Sequence, residues 1–159
     1  VSARDLLHQV QALPAEEQRL FMEELRDLRL GGEPSLPRKD ERDRLFQVLA
    51  SQAEDCANEG WDGHGAMPVT LETYRAAYRF AESLPASAPS PSVGAEPDGH
   101  LTLEWYRNPS RVLSLSIGPE GELSYAALLG ETSRRTGSER FEQEVPRDLL
   151  HLIDEVFAA

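Results

Sequence analysis

Asp62 and His64 stand two residues apart in the run Gly60-Trp61-Asp62-Gly63-His64-Gly65-Ala66-Met67-Pro68, and Glu104 follows in a stretch of alternating apolar residues that also holds His100. Carboxylates and an imidazole are the groups of general acid–base catalysis and of metal ligation. Convergence of Asp62, His64 and Glu104 in one pocket would therefore make an enzyme or a sensor of a small ligand or metal. The spacing gives metal little support, because no H-x-x-x-H or paired-cysteine pattern sets ligands at coordination distance. No metal and no cofactor are expected. The competing reading is a rigid loop in which Asp62 caps neighbouring backbone amides and His64 faces solvent.

Nucleophilic chemistry has less to stand on. Cys56 falls on the apolar face of a predicted helix, where a thiol behaves as a small core residue, and no G-x-S-x-G elbow is present. Gly60, Gly63 and Gly65 do not follow a strand, so they differ from the phosphate-cradling loops that run from a strand into a helix. No catalytic residue is assigned, and the chain is read as more consistent with a non-enzyme.

The loop needs elements to hold it. Before it, Asp40 is placed as the N-cap of a helix to about Asn58, with Leu45, Val48, Leu49, Ala53 and Cys56 on one face. After it, Thr70 and Thr73 cap a helix from about Leu71 to Leu84. Its expected buried stripe is Leu71, Tyr74, Ala77, Tyr78, Ala81 and Leu84, with Phe80 at the edge. The proline-spaced segment from Pro85 to Pro91 is an extended connection. The period then changes to two: Leu101, Leu103 and Trp105 alternate with Thr102, Glu104 and Tyr106, and Leu113, Leu115 and Ile117 with Ser114 and Ser116.

Asp98-Gly99, Asn108-Pro109-Ser110 and Gly118-Pro119-Glu120-Gly121 supply the turns, and Leu123 to Leu129 forms a further strand. Arg134 to Ser138 reads as a polar loop, Glu139 to Val145 as a last strand, and Ser92 to Glu96 as an optional edge strand. Pro146 opens a terminal helix with Leu149, Leu150, Ile153, Val156 and Phe157 toward the core. The expected fold is α+β: an N-terminal helical hairpin, two helices, an antiparallel meander of about four strands and a C-terminal helix.

At the N-terminus, Leu6, Leu7, Val10 and Leu13 recur at helical spacing, and Pro14-Ala15-Glu16-Glu17 breaks and restarts the pattern. Leu20, Phe21, Leu25 and Leu28 carry the apolar face onward. Residues 1–30 are accordingly assigned to a helical hairpin, 31–39 to a Gly/Pro linker and 40–159 to the α+β domain. So small a hairpin cannot cover its own stripe, which makes Leu20, Phe21 and Leu25 the expected contacts of a partner or of a second copy.

The 159 residues hold 16 Lys and Arg against 28 Asp and Glu, for a net charge of −12. Phosphate backbones and anionic membranes repel such a chain, so direct nucleic-acid and membrane partners are disfavoured and a basic protein is compatible. Basic residues Arg107, Arg111, Arg134, Arg135 and Arg140 gather in the C-terminal half among glutamates, and are read as an exposed, salt-bridged face. A single cysteine suits a reducing compartment, and neither a membrane-length apolar run nor a signal-like N-terminus is visible, so a cytoplasmic location is expected.

Two resemblances add to this reading. Trp61-Asp62-Gly63-His64-Gly65-Ala66 with Pro68, followed by Asp98-Gly99 and Leu103-Glu104-Trp105, resembles an uncharacterised family of small bacterial proteins carrying W-D-G-x-G-A-x-P and D-G-x-x-x-L-E-W; that family brings no activity with it. The Leu6 to Leu28 segment, with its Ala12-Leu13-Pro14 hinge, is similar to a helical segment of addiction-module antitoxin components. That second resemblance implies a toxin–antitoxin or defence setting in which an acidic protein neutralises a partner, and the net charge suits a basic one such as a toxin. No ribbon-helix-helix or helix-turn-helix pattern accompanies it. A non-enzymatic neutraliser is therefore the first functional expectation. An enzyme or sensor at the Trp61 to Pro68 loop and a structural subunit of a homo-oligomer are the alternatives.

Overall fold

A computed structural model describes residues 37–158. The expected N-terminal hairpin, with Leu20, Phe21 and Leu25, lies outside the described residues. Helix α1 spans Pro37–Asp55 and α2 Leu71–Ser83; strands β1 (Ser92–Ala95), β2 (Leu101–Asn108), β3 (Arg111–Ile117), β4 (Glu122–Leu129) and β5 (Arg134–Arg140) follow, and α3 (Arg147–Phe157) comes last. Among the described residues the fold is thus α+β, with three helices and a five-stranded antiparallel sheet in the sequential order β1-β2-β3-β4-β5.

Register explains how the sheet separates inside from outside. Leu101, Leu103 and Trp105 pair with Ile117, Leu115 and Leu113, which in turn pair with Leu123, Tyr125 and Ala127. Because side chains alternate across a strand, these residues share one face. They join Leu45, Leu49, Ala77, Phe80, Leu149, Leu152, Ile153 and Val156 in a single core, so the helices pack on that face. Burial of leucine-sized side chains there supplies roughly 1.5–3 kcal/mol apiece before chain entropy is counted.

Several expectations are corrected. The strand at Glu139 to Val145 is displaced: Arg134–Arg140 is the strand, and Glu142 to Glu144 lie beyond it. An edge strand made only of polar residues and a glycine carries no apolar alternation to announce it, so it imitates a loop. Helix α1 begins at Pro37, which suits a first helical turn, and Asp40 lies in that turn instead of capping it. On α2 the buried residues are Thr73, Ala76, Ala77, Phe80 and Ala81. Phe80 is fully buried while Leu71 is 55% exposed, so the helix is rolled relative to the expected stripe. Val48 and Phe157 are likewise exposed, and Leu152 takes a core position that the sequence pattern gives to Phe157.

Candidate functional site

The glycine loop is built from its own backbone. Gly60, Gly63 and Gly65 adopt φ of +74°, +77° and +81°, a left-handed conformation that costs L side chains strain. The amide of Gly60 donates to Ala66 O at 2.7 Å, and that of Gly63 to Gly60 O at 2.9 Å. Trp61 is half-buried, and its Nε1 donates to Met67 O at 2.8 Å, so the indole closes its own loop as it packs on the core.

Asp62 and His64 are brought together, but by the loop's own architecture. Asp62 Oδ1 accepts the backbone amides of His64 at 2.8 Å and Ala66 at 3.0 Å. These two bonds stabilise the ionised carboxylate and hold its pKa below the usual aspartate value, with the amide of His64 the largest cause. The His64 ring is exposed and sits 2.9 Å, through Nδ1, from the carbonyl of Asp62. A carboxylate so engaged turns the chain and is poorly free to take a substrate proton.

The loop is docked on the β1–β2 turn. Met67 N donates to Pro97 O at 2.8 Å, and Val69 N to Cys56 O at 2.8 Å, so the loop ties the end of α1 to that hairpin. Cys56 is buried, as its helix face implied. Gly99 makes the close approach feasible: at φ +87°, a Cβ there would lie 2.7 Å from Pro68 O.

Glu104 stands apart from this assembly. It lies on β2 opposite Ser92 and Ser114, on the face away from the helices, three residues or roughly 10 Å along the strand from Leu101, where the turn holding Gly99 ends. Arg111, on the neighbouring strand, is used elsewhere: its guanidinium donates to Glu155 O at 2.7 Å. Among the described residues, no group of three or more His, Cys, Asp or Glu could hold a metal ion. His100 does meet a serine, with Nδ1 3.1 Å from Ser116 Oγ, but Asp98 Oδ2 lies 3.8 Å from the same nitrogen. A serine–histidine–aspartate relay needs the carboxylate and the hydroxyl on opposite ring nitrogens; this cluster lacks that arrangement and ties the β1–β2 turn to β3.

Pairwise register reveals a surface that strand-by-strand reading misses. On the face away from the helices, Tyr106 pairs with Val112, Val112 with Leu128 and Leu128 with Arg134. An apolar row thus crosses three strands and ends on a guanidinium. The next rows hold Glu104, Ser114, Ala126 and Thr136, then Thr102, Ser116, Ser124 and Ser138. Tyr106 is 56% exposed, and its neighbours in the row are half-buried. The signal was present in the even-numbered positions of β2 and β4, but adjacency across strands requires the pairing. No family model, curated protein or solved structure matches the chain.

Proposed function

We propose that the chain is a non-enzymatic protein-binding module of the antitoxin or immunity kind, acting in the cytoplasm on a basic protein. The observation that carries this reading is the open sheet face, where Tyr106, Val112 and Leu128 form a contiguous apolar row beside Glu104 while all the core residues lie on the opposite side. An amphipathic tyrosine flanked by aliphatic residues is a common energetic centre of an interface. The net charge of −12 supports a basic partner, through faster encounter more than through final affinity. Leu20, Phe21 and Leu25 of the N-terminal segment are proposed as a second set of contacts, suited either to the same partner or to a second copy.

Copurification from the native host, followed by affinity measurement with the purified partner, tests the reading. A stoichiometric basic protein whose binding weakens on Tyr106→Asp or Leu128→Glu is the expected result, with the variants still folded by circular dichroism. Loss of one central interface anchor should raise Kd by tenfold or more, the equivalent of about 1.4 kcal/mol. Copurification of no stoichiometric protein, or binding indifferent to both substitutions, would sink the assignment to this face.

A further inference from the structure

We infer that the edge of β5, unpaired among the described residues, is a self-recognition surface, on which a second copy of the chain pairs antiparallel about Gly137 to give one continuous sheet. The two edges of the sheet differ in kind. β1 has four residues, lies between Pro91 and Pro97 and packs against α1, so little of it can template another strand. β5 has seven residues, contains no proline and packs chiefly on β4.

The direction of its backbone groups follows from the flanking bonds. Leu129 N donates to Ser133 O at 2.9 Å, and Phe141 N donates to Gly121 O at 2.8 Å, so odd-numbered residues turn their backbone groups toward β4. The amides and carbonyls of Arg134, Thr136, Ser138 and Arg140 therefore point to the open edge. One of them, the carbonyl of Arg134, receives the guanidinium of Arg135 at 3.3 Å.

Two copies can meet only where these outward residues face each other. Centring the pair on Gly137 sets Thr136 against the partner's Ser138 and Arg134 against the partner's Arg140, and it overlaps the full strand. Between them Arg135 stands opposite the partner's Glu139, an opposite-charge pair made twice by the two-fold axis. Shifting the centre to Thr136 or Ser138 loses both charge pairs. The like-charge contact of Arg134 with the partner's Arg140, also made twice, is moderated because Arg140 already pairs with Glu120 at 3.2 Å. Gly137 at the axis suits the close approach of a non-hydrogen-bonded pair, about 4.5 Å between Cα atoms. Its helix-side space is filled by Tyr125, whose hydroxyl group a Cβ at Gly137 would overlap.

The residues to be substituted, Arg135, Ser138 and Glu139, are not among Tyr106, Val112 and Leu128, so the inference stands or falls independently of the proposed partner. Sedimentation equilibrium on the full chain is the test, with circular dichroism verifying each variant's fold. A dimer is expected for the native sequence. Ser138→Pro removes an outward amide without touching the β4 ladder, and should yield monomer. Arg135→Glu alone should raise the dimer Kd about tenfold or more, and adding Glu139→Arg should restore it. The charge pair keeps the test sharp even if the proline variant folds poorly. A monomeric native chain overturns the inference, and so does a dimer untouched by Ser138→Pro, or a charge swap that fails to restore pairing.

Discussion

The Asp62 carboxylate receives two amides from its own loop and so fastens the turn from Asp62 to Ala66. Its native pKa is depressed, so the unfolded state takes up a proton at higher pH than the native state does. The stability it contributes is therefore present above the unfolded value and lost as pH falls through the depressed native value. Asp62→Asn should lower the melting temperature at neutral pH and flatten the acid limb of the stability profile. Thermal melts of both proteins from about pH 7 to about pH 3 check this; parallel curves would show that the carboxylate's charge is idle. The glycines offer a second residue-scale comparison. Gly65 has a left-handed φ but open space where a methyl group would stand, so Gly65→Ala should cost about 1 kcal/mol from backbone strain alone. Gly99→Ala adds a collision with the Pro68 carbonyl to the same strain and should cost about 2–3 kcal/mol, because the loop must lift from the turn. Denaturant unfolding of the two variants measures the difference, and equal costs would mean that the loop does not bear on Gly99.

At the scale of elements, helix ends are held by arginines from elsewhere. Arg42 of α1 donates to the carbonyls of Glu82 and Leu84 at the end of α2, and Arg107 and Arg111 reach those of Ala158 and Glu155 at the end of α3. Terminal carbonyls lack intrahelical partners and carry the negative end of the helix dipole, so guanidinium groups suit them. Arg111→Ala should cost about 0.5–1.5 kcal/mol and raise hydrogen exchange selectively in the last turn of α3; uniform protection would count against the capping role. These contacts also show what the sequence could and could not convey. Strands β2 and β3 were legible because Leu101, Leu103, Trp105 and Leu113, Leu115, Ile117 alternate cleanly, and the Asp98-Gly99 turn named its own hairpin. Helix α2 was legible in period and not in phase: with alanines and Thr73 able to pack on the sheet, Phe80 could rotate inward and Leu71 outward. Strand β5 and the row from Tyr106 to Leu128 were illegible for one reason, since each is defined by what lies across the ladder. Asp62 and His64 are neighbours by their spacing alone, whereas a place for Glu104 beside them would need a tertiary contact that residue spacing does not encode.

For the whole molecule, the balance of charge matters more than any one pair. The sequence led to an expectation that the C-terminal arginines and interleaved glutamates form a salt-bridged face. Among the described residues, however, the arginine–carboxylate pair is Arg140 with Glu120, both largely exposed, and Arg42, Arg79, Arg107 and Arg111 bond to carbonyl oxygens. Exposed pairs of this kind contribute about 1 kcal/mol at most. Among the described residues the acidic side chains thus have little local neutralisation, in a chain of net charge −12, and their mutual repulsion opposes the compact state. Screening should relieve that repulsion, since the Debye length shrinks from about 30 Å at 0.01 M salt to about 3 Å at 1 M. Raising sodium chloride across that range should therefore increase the melting temperature. Most of the gain should arrive by about 0.15 M, where screening already reaches roughly 8 Å. A chain held by surface ion pairs would respond in the opposite sense, losing stability as salt weakened them. Calorimetric melts across the series distinguish the two, with sodium sulfate as a parallel arm to separate screening from strengthened apolar burial, which sulfate favours at equal ionic strength.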